Sequence, residues 1–163
     1  MRERLQELEA ERVAPSAFED NWLLDRDGQM AATHSTLRLR IDRHGARVTF
    51  KGPPEFDGET KVRTEYETRV EDGEALMAIF KSLGYRVSTR YQKHREEWQL
   101  GSVTVALDHT PVGDFVEFEG ESAEKVARRC GFDPRDSERR TYPEIYADYH
   151  REHPDSPPDM VFP

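Results

Sequence analysis

A chain of 163 residues has room for one ordinary domain, because domains most often run to about 100–150 residues. Its 33 acidic side chains outnumber the 24 basic ones, and a net charge of −9 disfavours unspecific attraction to nucleic-acid phosphates or to an anionic membrane surface. The single cysteine, Cys130, excludes an intrachain disulfide framework, no run approaches the roughly 18 apolar residues of a membrane span, and no signal-like stretch follows Met1, so the expected compartment is the cytoplasm.

With 35% hydrophobic and 35% charged residues the core must be thin. The aromatic residues nevertheless fall into periodic patterns that a disordered chain lacks. Leu5 and Leu8 among charged residues predict an amphipathic helix over Arg2–Arg12, ended by Pro15 and Ser16, and Asn21–Asp25 reads as a short strand or an extended approach to one. From Thr36 the period becomes two: Leu37, Leu39 and Ile41 point one way and Arg38, Arg40 and Asp42 the other. A turn at His44-Gly45 leads into a strand ending at Lys51, a loop follows from Gly52 to Gly58, and alternation resumes over Lys61–Val70. Asp72 caps a helix running to Leu83, with Leu76, Ile79, Phe80 and Leu83 as its apolar stripe and Gly84 as its stop.

Tyr85–Trp98 reads as a long strand whose apolar parity runs into Lys93 and Arg95, which calls for a bulge near Gln92 or a face that changes environment. Two further strands, Val103–Asp108 and Phe115–Glu119, flank a turn at Thr110–Gly113. Helices are predicted over Glu121–Cys130 and after the capping box Thr141-Tyr142-Pro143-Glu144. Residues 1–153 form one domain in this reading, and the proline-rich residues 154–163 are expected to be extended and mobile. His150-x-x-His153 reads as surface, Cys130 as packed, and Tyr142, Tyr146 and Tyr149 as a helix docking face.

A basic stripe on one strand is ordinarily solvated surface. Here Arg38, Arg40, Lys51, Arg63, Lys93 and Arg95 recur on several strands of an otherwise acidic chain, and the same strands carry Glu65-x-Glu67 and Glu117-x-Glu119. Residues i and i+2 of a strand share a face about 6.6 Å apart, so such a pair can converge on one hard cation. Cations and paired carboxylates lining an enclosed sheet suit a metal-bound polyphosphate.

Five segments carry a family resemblance: Leu37–Arg40, Thr49–Pro53, Arg63–Glu67, Tyr91–Arg95 and Leu107–Gly120. They resemble, in order, the motifs of the CYTH or triphosphate tunnel metalloenzyme superfamily, which includes class IV adenylate cyclases, thiamine triphosphatases and inorganic triphosphatases. The resemblance implies an α+β fold, an antiparallel β-barrel of eight strands around a tunnel, with helices packed outside. It implies that Arg38, Arg40, Lys51, Arg63, Lys93 and Arg95 bind the triphosphate and that Lys93, Arg95 and Glu65 act in catalysis. Mg²⁺ or Mn²⁺ is then expected on Glu117, Glu119, Glu65, Glu67 and Asp108. The implied partner is a small-molecule triphosphate, either hydrolysed or, in the cyclase version, converted from ATP to cyclic AMP and pyrophosphate.

Members of that superfamily begin with a strand bearing Glu-x-Glu-x-Lys, whereas this sequence opens on a helical pattern in which Glu11 stands where Lys is expected. Seven strands are counted, the first of them weak. The expectation is a longer native product or a second chain closing the seam, for which a homodimer is suited, and an inactive triphosphate-binding module is a third functional reading.

Overall fold

The computed structural model describes residues 1–57 and 60–163. The chain begins with α1 (Arg2–Glu7), followed by the strand β1 (Glu11–Asp25), a short helix α2 (Gln29–Ala32), and the hairpin of β2 (Thr36–Asp42) with β3 (Gly45–Lys51). Next come a small separate hairpin of β4 (Glu55–Asp57) and β5 (Thr60–Val62), then β6 (Glu65–Val70) and helix α3 (Gly73–Ser82). The meander β7 (Arg86–Leu100), β8 (Val103–Thr110) and β9 (Gly113–Glu119) precedes α4 (Ala123–Arg129) and α5 (Tyr142–Glu152). One seven-stranded antiparallel sheet has the order β6-β3-β2-β1-β7-β8-β9. The α+β class expected from the sequence is the one found, with β6 and β9 as the end strands of the sheet.

The largest correction concerns β1. Instead of a helix to Arg12 and a five-residue strand, the helix stops at Glu7 and a fifteen-residue strand starts at Glu11 and fills the centre of the sheet. Pro15 is tolerated there because the register with β7 breaks between Ala14 and Ala17, while pairing with β2 begins only at Glu19. The Glu7–Glu11 segment is no acidic strand: Glu7 ends α1, Glu9 turns the chain at φ 58°, and only Glu11 is extended. Pairing of β7 with β1 is continuous from Thr89 to Arg95, so the expected bulge near Gln92 lies instead at Ser88, between Val87 and Thr89. The strand predicted over Lys61–Val70 is divided into β5 and β6, and the loop expected from Gly52 contains β4, with Gly58 outside the described residues.

Outer-face packing explains the helices. Leu5 is completely buried against Trp98, Leu100, Val103, Val105, Val126 and Cys130, which clamps α1 and α4 onto the outer side of β7 and β8. Asp72 caps α3 as expected, its carboxylate accepting the Ala75 N–H at 2.9 Å. Gly73 lets this helix approach the sheet, since a Cβ there would stand 2.9 Å from the Ala46 Cβ. The predicted stripe of α3 is only partly covered, with Ile79 and Leu83 exposed.

The final residues also depart from expectation. β8 leaves the edge of β7 beyond His94, and the chain end occupies it: Gln92 N–H donates to Met160 O at 2.8 Å and Met160 N–H to Arg90 O at 3.2 Å. Met160 is fully buried, and Tyr146 OH donates to Pro157 O at 2.6 Å. The prolines keep the segment extended, but backbone pairing and an apolar anchor dock it.

Candidate functional site

Directly opposed residues in a sheet share a face, and alternate residues along a strand share it again. The registers therefore place Glu65 and Glu67 (β6), Lys51 and Thr49 (β3), Arg38 and Arg40 (β2), Glu19 and Asn21 (β1), Lys93 and Arg95 (β7), Asp108 (β8), and Glu117 and Glu119 (β9) on one side of a single sheet. All the strand-borne site residues expected from the sequence are thus gathered on one face. Arg63 lies between β5 and β6 and joins the same face through Glu65, with Nε 3.3 Å from the carboxylate.

Charges alternate across this face. From β9 inward, Glu117 accepts Arg95 Nη2 at 2.6 Å; Asp108 accepts Arg95 Nε at 2.7 Å and Lys93 Nζ at 2.8 Å; Lys93 lies 3.8 Å from Glu19; and Glu19 is 3.0 Å from Arg40. Arg40 Nε also donates to Asn21 Oδ1 at 3.1 Å. Toward β6, Arg38 donates to Thr49 at 3.2 Å, Thr49 donates to Glu67 at 2.8 Å, and Lys51 is held by Glu65 at 2.7 Å. Arg38, Arg40, Lys93 and Arg95 are all buried, so their charges require these partners. Among the described buried side chains, Glu19 Oε2, Asn21 Nδ2 and Arg38 Nε lack a hydrogen-bond partner, a set of unsatisfied groups in the middle of the polar face.

The electrostatics follow from these contacts. Burial would raise the Glu117 carboxyl, but the adjacent Arg95 and Lys93 outweigh it and hold the group well below the ordinary carboxylate range. Glu65 and Glu67 are lowered in the same way, against their partial burial, by Lys51 for the first and by Thr49 and Arg47 for the second. Burial lowers Arg40, and the like charge of Arg38 adds to it. Burial also lowers Lys51 despite its bond to Glu65.

Hard oxygen donors are the right chemistry for Mg²⁺ or Mn²⁺. Among the described residues no three acidic, His or Cys side chains converge on one point. The two acidic pairs lie on β6 and β9, at opposite ends of the strand order. This arrangement fits a Mg²⁺-like ion, which habitually takes one or two carboxylates and completes its shell with phosphate oxygens and water. Asp108 suits such a role least, because Lys93, Arg95 and Tyr142 already occupy its two oxygens with four hydrogen bonds, about the capacity of a carboxylate.

The sequence reading missed Glu19, Asn21 and Tyr142. The first two were legible only as alternate members of a strand that the tripeptide Trp22-Leu23-Leu24 and Pro15 disguised. Tyr142, Tyr146 and Tyr149 do form the expected docking face, packing with Tyr91 and Met160, and the Tyr142 hydroxyl in addition reaches Asp108 at 2.6 Å.

Comparison with known proteins agrees with this fold. The sequence profile of the CYTH domain matches residues 1–142. The chain belongs to the CYTH domain family. It is 30% identical over 118 residues to a candidate adenylate cyclase of Methanocaldococcus jannaschii, covering 72% of this chain and 67% of that protein. Among solved structures, PH1819 of Pyrococcus horikoshii superposes with a TM-score of 0.77 at 26% identity, over 90% of this chain and 92% of that one. A Hippeastrum protein described as a candidate adenylyl cyclase with a dominant triphosphatase activity shares the fold at a TM-score of 0.54 and 12% identity, over 91% and 79% of the two chains. Among the described residues of this CYTH chain, no helix is long and apolar enough to cross a membrane.

Proposed function

We propose that this CYTH protein binds a triphosphate on the polar face of its sheet and hydrolyses a phosphoanhydride bond in a metal-dependent reaction. The observation that carries the reading is the convergence of Arg38, Arg40, Lys51, Lys93 and Arg95 from three strands onto one face, each matched to a carboxylate or hydroxyl. Phosphate oxygens replace such partners naturally, since guanidinium and ammonium groups bond both kinds of oxyanion through the same geometry.

In this reading Arg38, Arg40, Lys51 and Arg63 orient the chain of phosphates. Lys93 and Arg95, aimed by Asp108, neutralise charge that develops on the transferred or departing group. Glu65, from β6, orients Lys51 and Arg63 and belongs to the catalytic set through them. Glu117 with Glu119, and Glu65 with Glu67, are the carboxylates that would hold Mg²⁺ or Mn²⁺, which when bound supplies Lewis-acid polarisation of phosphate oxygens and activation of water.

A second reading, cyclisation of ATP with release of pyrophosphate, is favoured by the name of the Methanocaldococcus jannaschii relative. Incubating the protein with tripolyphosphate, thiamine triphosphate and ATP, each with Mg²⁺ and with Mn²⁺, and measuring phosphate and cyclic AMP separates the two. Phosphate release supports hydrolysis, and cyclic AMP supports the second reading. Binding without either product under every condition overturns both and leaves a binding module.

A further inference from the structure

Tyr142 stands at the start of α5, the helix whose other aromatic residues, Tyr146 and Tyr149, join the cluster of Tyr91 and Met160 next to the polar side chains of the same sheet face. Its hydroxyl donates to Asp108 Oδ2 at 2.6 Å. Its ring lies 5.1 Å from Lys93 Nζ, meets Phe115 edge-on at 5.3 Å and tilts against Tyr91 at 5.6 Å. Asp108 Oδ2 also accepts Lys93 Nζ at 2.8 Å and Arg95 Nη2 at 2.6 Å, so one oxygen collects a tyrosine, a lysine and an arginine. The helix start that delivers Tyr142 is fixed by its own devices: Pro143 lies in the first turn, and Glu144 accepts the Thr141 N–H at 2.6 Å.

We infer that Tyr142 is a positioning residue for the triphosphate: through Asp108 and across the face of Lys93 it fixes the two buried cations of β7 in the geometry that receives phosphate. This rests on the proposed triphosphate reading. Two cations that share a buried carboxylate have several ways to divide its lone pairs. The phenol takes one of those positions permanently, which leaves Lys93 and Arg95 a single arrangement. Burial, and then the charges of Glu117 and Asp108, keep the phenol well above its ordinary value, so it donates to Asp108 throughout the neutral range. The aromatic face adds an attraction to the Lys93 ammonium and excludes water from that side.

The test is calorimetric titration with tripolyphosphate in EDTA, where no turnover intervenes, on the wild type and on Tyr142→Phe, which keeps the ring and removes only the hydroxyl. The part of that bond's worth that holds the two cations in the receiving arrangement is lost from binding, which predicts roughly tenfold weaker affinity. Because the same bond exists in the ligand-free fold, its loss also lowers the melting temperature, so both titrations are run well below either transition, where all molecules are folded. In an Asp108→Asn background, where the acceptor no longer carries a charge, the same substitution is expected to cost a smaller factor. Equal affinity of wild type and Tyr142→Phe overturns the inference alone, and so does an equal loss in both backgrounds. A wild-type protein that binds tripolyphosphate neither in EDTA nor with Mg²⁺ overturns the triphosphate reading and this inference with it, and where only the Mg²⁺ arm binds, the two proteins are compared there.

Discussion

Asp108 grips Arg95 with both carboxylate oxygens, Oδ1 to Nε at 2.7 Å and Oδ2 to Nη2 at 2.6 Å. The two residues face each other across β7 and β8, and the Asp108 side chain is completely buried. Removing one member of such a pair strands the other charge away from water. Asp108→Ala leaves both Arg95 and Lys93 without their main partner and is expected to destabilise the fold by about 3–5 kcal/mol. Urea unfolding followed by circular dichroism measures it, and a loss below about 1 kcal/mol refutes the anchoring role.

The carboxylates of β9 differ from Asp108 in having room for another ligand: Glu117 is half-buried and Glu119 is exposed at the strand end. Replacing both by Gln keeps size and hydrogen bonding while removing the negative charge that a hard cation requires. The double variant is expected to lose metal-dependent phosphate release by about 100-fold or more, in line with the electrostatic share of phosphoryl transfer. Its circular dichroism spectrum should be unchanged. Unaltered turnover in the folded double variant removes these two residues from the metal site.

Much of this face is legible in the sequence alone, because period-two alternation reports side-chain direction wherever a strand is regular. Arg38 and Arg40 illustrate it: their flanking Leu37, Leu39 and Ile41 define the opposite side. What alternation could not show is which strand stands beside which. Glu19 meets both Arg40 and Lys93 only because β1 sits between β2 and β7, and its pairing with β7 joins residues more than 60 positions apart in sequence. β1 itself was disguised by Pro15, which signals a break locally but here occupies an irregular stretch where the ladder asks little of its nitrogen. The docking of Met160 was invisible for a related reason: a proline-rich composition fixes an extended backbone and says nothing of a free strand edge waiting elsewhere.

The depressed carboxyl groups make a pH prediction with a definite sign. Glu65, Glu67 and Glu117 all lie below the ordinary glutamate value in the folded state, the last of them well below, each held down against its burial by nearby Lys, Arg or hydroxyl donors. A group lowered on folding contributes stability that is fully present above its unfolded value, about 4.3, and is lost as pH falls through its folded value. Between pH 5 and pH 8 these three groups should therefore leave the melting temperature unchanged, and below about pH 4 it should fall. Glu117→Gln is expected to shallow that acid limb, as thermal unfolding between pH 2 and pH 8 will read. An acid limb as steep in the variant as in the wild type contradicts the assignment.

The chain end supplies a prediction that needs no ligand. Met160 is completely buried between Tyr91 and Tyr146, and the backbone around it closes two bonds onto β7. Phe162 extends the contact, its N–H donating to Gln92 Oε1 at 3.1 Å and its ring stacking on His109 at 5.6 Å. Met160→Ala removes most of a buried side chain and is expected to cost about 2–5 kcal/mol, depending on how far the neighbouring tyrosines close the gap. The more specific readout is hydrogen exchange at Gln92, whose N–H is protected by Met160 O and by no partner from β8, which pairs only from His94 onward. If the segment is docked, Gln92 exchanges slowly in the wild type and faster in Met160→Ala, while Trp98, deep in the β7–β8 ladder, keeps its protection relative to the global stability. Rapid exchange at Gln92 in the wild type would instead mean that the segment spends much of its time away from the sheet.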